Sequence, residues 1–123
     1  MLRFSFTEVK GRGFFFILIG PGEEIFLSSV FYHTLVSCQD GARSVIENCG
    51  DIRSFDLISK AGHRPDPEDE IYLFSICDSR GQKLAESECY YTEEERVRAM
   101  RFLRMNIKET KFDEESWNKP LVL

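Results

Sequence analysis

At 123 residues the chain is long enough for one hydrophobic core and too short for two independent ones. With 42% hydrophobic and 30% charged residues it is no disordered chain, and no apolar run approaches the ~20 residues of a membrane-spanning helix. A formal charge of −5 opposes wholesale binding to phosphate backbones, while eleven Phe, four Tyr and one Trp favour a sheet-rich fold.

The N-terminus, Met1-Leu2-Arg3-Phe4-Ser5-Phe6, alternates apolar and polar residues and has no signal-peptide block, so a soluble, cytoplasmic protein is expected. This first strand meets a turn at Lys10-Gly11-Arg12-Gly13. Phe14 to Ile19 reads as a second strand, stopped by Gly20-Pro21-Gly22, and Ile25 to Val30 as a third. The period then changes. Ser37 is placed to cap a helix reaching Asn48, with Cys38, Ala42, Val45 and Cys49 on one face. Ile52 to Ile58 reads as a fourth strand.

A polar connection, 60–69, follows with Pro65 and Pro67. Ile71 to Cys77 and Leu84 to Cys89 are strands about a turn at Ser79-Arg80-Gly81. Thr92 and Glu95 form a capping box for a helix ending near Lys108. Lys111 to Asp113 suits a short last strand, and Trp117, Pro120 and three apolar residues end the chain.

The halves resemble each other. Gly22, Ile25 and Ser28 match Gly81, Leu84 and Ser87 at an offset of 59, and Val45 and Asn48 match Leu103 and Asn106 at an offset of 58. The expected architecture is α+β: two tandem β3-α-β units forming one antiparallel-rich sheet with two helices packed on one face. A single domain over 1–110 is expected, with repeats at about 1–59 and 70–110 and a tail, 111–123, able to fold onto the sheet.

Gly22-Glu23-x-Ile25-x-x-Ser28, followed by Ser37-Cys38-x-x-Gly41-x-x-Ser44-Val45-x-x-Asn48, resembles the YegP-like, or DUF1508 (UPF0339), family. The likeness is good over about 2–58 and loose over 70–108. It implies a β3-α-β unit used as a tandem repeat or a homodimer, with units sharing one sheet and exchanging last strands. It implies no biochemical activity. Where the family carries a basic residue after the tyrosine closing the third strand, this chain has Tyr32-His33-Thr34 and Tyr91-Thr92-Glu93.

Aligned from Gly22, the resemblance implies that Phe15, Ile17 and Ile19 point inward, which turns Phe14, Phe16 and Leu18 outward. The second half places Tyr72, Phe74 and Ile76 inward and Leu73, Ser75 and Cys77 outward. An apolar outer face formed by Phe14, Phe16, Leu18 and Leu73 suits a protein partner or a second copy, unless the Trp117 tail covers it. A second candidate is the basic stripe Arg98, Arg101, Arg104 and Lys108 on the second helix, a contact for nucleic acid or a phosphate ligand, against which stands an ordinary solvated helix face.

No catalytic constellation is legible. His33 and His63 lack a matched nucleophile, and the acidic runs at Asp66–Glu70 and Asp113–Glu115 lack calcium-loop spacing. Cys38, Cys49, Cys77 and Cys89 form no close pair for zinc and are expected as reduced thiols. The expectation is a non-catalytic interaction module without metal or cofactor.

Overall fold

A computed structural model describes residues 1–61 and 70–123. The connection assigned to 60–69, with His63 and most of the acidic run after it, lies largely outside the described residues. In chain order the elements are β1 (Arg3–Val9), β2 (Gly13–Ile19), β3 (Ile25–Ser29), α1 (Leu35–Asn48), β4 (Phe55–Ala61), β5 (Glu70–Cys77), β6 (Lys83–Ser87), α2 (Glu93–Asn106), β7 (Lys111–Phe112), α3 (Glu114–Asn118) and β8 (Leu121–Val122).

One open α+β sheet runs β4-β5-β6-β3-β2-β1-β7, with β8 also on β1. The meander β1-β2-β3 meets the meander β4-β5-β6 at the antiparallel β3–β6 pair, and only β7 and β8 run parallel to their neighbour. β4 therefore acts as the first strand of the second meander, its Leu57 opposite Phe74 as Phe6 is opposite Phe16.

Both long helices press on one face. Cys38, Ala42 and Val45 of α1 and Ala99, Met100 and Leu103 of α2 join one core with Phe4, Phe6, Phe16, Leu18, Phe74 and Ile76. Thr34, rather than Ser37, caps α1, its hydroxyl accepting from Ser37 N–H at 3.1 Å. Thr92 does the same for α2 with Glu95 N–H at 3.1 Å, while the Glu95 carboxylate turns back to Tyr91 N–H at 3.4 Å.

From β2 and β5 through α1 and α2, corresponding positions lie 58 apart. Phe16 and Phe74 stack on Tyr32 and Tyr90, each with centroids 6.3 Å apart. The hydroxyls of Ser29 and Ser87 accept from Phe16 and Phe74 N–H at 2.8 and 2.9 Å. Glu23, with φ +65°, stands where the other half has Gly81, with φ +80°.

That last pair corrects the sheet register. Matching Gly22 with Gly81 shifted β2 by one residue, and a one-residue shift exchanges the two faces of a strand. Phe16 and Leu18 are fully buried in the helix-side core and Phe14 packs against it, so these three do not face outward. Leu73 is on the face away from the helices as expected, yet only 2% exposed, mid-sheet with Ile58 opposite it.

Candidate functional site

With the faces exchanged, the side of the sheet away from the helices carries Phe15 and Ile17, half-buried, and Ile19, Ile71 and Leu73, buried. Phe31 lies edge-on to Phe15 at 5.6 Å and under the Arg12 guanidinium at 5.0 Å. Phe14, Phe16, Leu18 and Leu73 are thus not brought together as an accessible patch; three belong to the opposite face.

The tail does not lie across the sheet. It runs along the edge of β1, where Lys111 N–H donates to Leu2 O (3.0 Å), Asp113 N–H to Phe4 O (2.9 Å) and Leu123 N–H to Glu8 O (2.9 Å). Phe6 N–H donates to Ser116 Oγ at 3.1 Å. Trp117 packs edge-on against Phe6 at 5.2 Å, beneath the Arg43 guanidinium at 4.8 Å, and its carbonyl accepts from Gln39 at 2.9 Å.

The stripe residues Arg98, Arg101 and Arg104 are exposed on α2, as their spacing predicts, and Lys108 is exposed in the 3-10 turn that follows it, Ile107–Glu109, because α2 ends at Asn106. Among the described residues none of the four has an ion-pair partner. Arg96, one turn away, is instead 6% exposed. It donates to Ile58 O and Leu73 O at 3.1 and 3.4 Å, lies 5.3 Å from the Tyr72 ring centre, and leaves its Nε unpartnered among the described residues.

The most developed concavity was not anticipated. A groove of about 900 Å³ opens between the β2–β3 turn and α2. Phe26 and Phe102 stack across it at 5.2 Å with an interplanar angle of 14°, and Tyr90, Ala99 and Ile25 add apolar wall. Glu23, Glu24, Glu88 and Arg98 line it as well, three carboxylates to one guanidinium.

Local sequence explains the opening. In the first half Gly41 faces Tyr32 so closely that a β-carbon would overlap the Tyr32 hydroxyl and ring, and Tyr32 O–H reaches Leu84 O at 3.5 Å. At the corresponding places the second half has Ala99 and Tyr90, and Phe102 in place of Ser44. The methyl at 99 denies Tyr90 the close seat that Tyr32 takes on glycine. Among the described residues the Tyr90 hydroxyl makes no hydrogen bond, and burial pushes its pKa up to about 12, so it stays a donor. The sequence signal for this groove was the exchange of Gly41 and Ser44 for Ala99 and Phe102.

The cysteines are spread out: Cys38 and Cys49 are buried, Cys89 exposed, and burial pushes the Cys38 and Cys49 thiols up to about 12. Among the described residues no three His, Cys, Asp or Glu side chains gather as a metal site, and no helix is long and apolar enough to cross a membrane.

No family model and no curated protein matches the sequence. Solved structures do match. A UPF0339 protein of Shewanella oneidensis superposes with a TM-score of 0.74 at 17% identity, over 90% of this chain and 90% of that one. The E. coli protein YegP, described as of unknown function, superposes with a TM-score of 0.74 at 19% identity, over 91% and 92% of the two chains. What the chain shares with them is the arrangement of its sheet and helices: its fold is YegP-like.

Proposed function

We propose that the protein is a non-catalytic protein-binding module whose contact surface is the groove between the β2–β3 turn and α2. The observation that carries this reading is the stacked Phe26–Phe102 pair in an open groove, beside a Tyr90 hydroxyl that bonds none of the described residues. Large apolar side chains lining an accessible concavity mark binding sites, with a few polar groups fixing orientation. The excess of glutamate favours a partner segment that inserts an apolar side chain flanked by basic residues. The reading treats the chain as two copies of one unit, of which the second has given up helix–tyrosine contact for a surface.

The test restores an α1-like residue in α2 and, separately, reverses a charge beside it. Phe102→Ser removes half of the aromatic stack, and Glu88→Lys inverts one charge of the groove. Proteins captured from cell extract by the wild-type chain should be lost from both variants, with affinity falling at least tenfold on re-measurement with the purified partner. Val36→Lys, at an exposed site on α1, should keep them. Partners that survive both groove substitutions would remove this reading. A second reading rests on the exposed Arg98, Arg101, Arg104 and Lys108. Salt-sensitive nucleic-acid binding that is abolished by Arg101→Glu with Arg104→Glu, and untouched by Phe102→Ser, would put it in first place.

A further inference from the structure

The two ends of the sheet are built alike but finished differently. At the β1 end the backbone groups of Leu2, Phe4, Phe6 and Glu8 point outward, and segment 111–123 bonds all four. At the other end, Tyr72 exchanges both backbone bonds with Tyr90, on the side away from β4. Leu73 therefore faces β4 and pairs with Ile58, which turns the backbone N–H and C=O of Leu57 and Ser59 to the outer edge. Among the described residues these outward groups have no hydrogen-bond partner. Leu57 is 55% exposed, whereas Phe6, its counterpart at the β1 end, is fully buried under Trp117. Gln39 and Arg43, which hold Trp117, have Val97 and Arg101 as their counterparts on α2, both exposed.

We infer that the β4 edge with the adjoining face of α2 binds an extended acidic segment of a partner protein that carries an aromatic side chain. The segment adds a strand to β4 through Leu57 and Ser59, and its ring lies over Leu57 beside Arg101. The chain supplies the pattern for such a ligand: Phe112, Asp113 and Trp117 do this at the β1 edge, with Glu114 and Glu115 between them in sequence. Charge argues for the acidic character. Arg101 and Arg104 stand exposed along α2 without ion pairs among the described residues, and Lys60 is exposed on β4 itself. This surface is separate from the aromatic groove and has the opposite charge preference, so it goes beyond the function proposed above and does not depend on it.

The probe is a synthetic peptide with the sequence of residues 110–123, titrated into the isotope-labelled full chain and followed by amide chemical shifts. Saturable shifts at Leu57 to Lys60, Val97 and Arg101 are expected, weakened about tenfold by Arg101→Glu and about fivefold when the peptide's tryptophan becomes alanine. Leu57→Asp, at an exposed position that should leave the fold intact, should abolish them. No shifts at millimolar peptide, or shifts confined to Phe4 to Glu8 because the peptide merely exchanges with the chain's own tail, would overturn the inference. It also fails if the free chain dimerises through β4, with Leu57 and Ser59 amides protected before peptide is added, since the occupant would then be a second copy.

Discussion

Tyr32 and Tyr90 show how one small residue changes the work of a large one. Each stacks on a core phenylalanine, but only Tyr32 meets a glycine on its helix and finds a carbonyl for its hydroxyl. Burial of both rings leaves a signature in pH. It pushes both phenols from the usual 10.0 up to about 12, and it pushes the Cys38 and Cys49 thiols from 9.0 to about 12. For all four groups the charged form is the deprotonated one, and folding disfavours it. A folded-state pKa raised in this way means a contribution to stability that is full below pH 9 and lost as pH climbs through 12. The expected outcome is a melting temperature that these groups leave unchanged to pH 9 and then lower steeply. Absorbance should show Tyr32 and Tyr90 ionising together with unfolding rather than before it. Early, independent ionisation of all four tyrosines would show that the two rings are not buried as described.

At the scale of elements, the β2–β3 turn explains both what the sequence disclosed and what it hid. The strands, both long helices, the Thr92 cap and even the short strand at Lys111 follow from alternation, helical spacing and capping chemistry. The register of β2 does not, because matching Gly22 with Gly81 pairs residues that stand at different places in their turns. In the second half the left-handed residue is Gly81, φ +80°. In the first half the left-handed residue is Glu23, φ +65°, and Gly22 beside it is not, so the anchor slipped by one. The offset of 58 given by Asn48 and Asn106 was the structural one; both side chains bond back to the carbonyl four residues earlier, at 2.7 and 2.9 Å. The groove stayed hidden for another reason, since it needs Phe26 and Phe102 from distant elements to meet. Glu23→Gly should relieve the left-handed strain, worth about 1 kcal/mol, at the expense of an exposed pair with Arg3 worth a few tenths at most. A rise of a few degrees in melting temperature is expected, and a fall would mean that the Arg3 contact outweighs the backbone.

For the molecule as a whole, the two sheet ends decide where stability is concentrated. The β1 end is closed by residues from the far end of the chain: Phe112 stacks on Phe4 at 5.6 Å, Trp117 packs edge-on to Phe6 and tilted against Phe112, and three backbone–backbone bonds and one from Phe6 N–H to Ser116 Oγ tie 111–123 to Leu2 and β1. Among the described residues the β4 end has Phe55 packed on Phe74 at 5.4 Å, the buried Arg96 reaching across to Ile58 and Leu73, and an exposed Leu57. A chain ending at Thr110 would give up the partial burial of Phe112 and Trp117, each contributing at most roughly 1.5–3 kcal/mol, and would bare the Phe4 and Phe6 edge. Since a small domain has only about 5–15 kcal/mol in hand, the loss is a large fraction of the total. In urea the truncated chain should therefore unfold at a clearly lower midpoint with a smaller dependence on denaturant, because less surface is left to expose. It should also associate as concentration rises, since an uncovered strand edge flanked by phenylalanine is a template for pairing. An unchanged midpoint would mean that the core closes on α1, α2 and the six strands β1–β6 alone, and that the tail is dispensable packing. Association without loss of stability would separate the two roles, leaving 111–123 as a guard on the edge rather than as a part of the core.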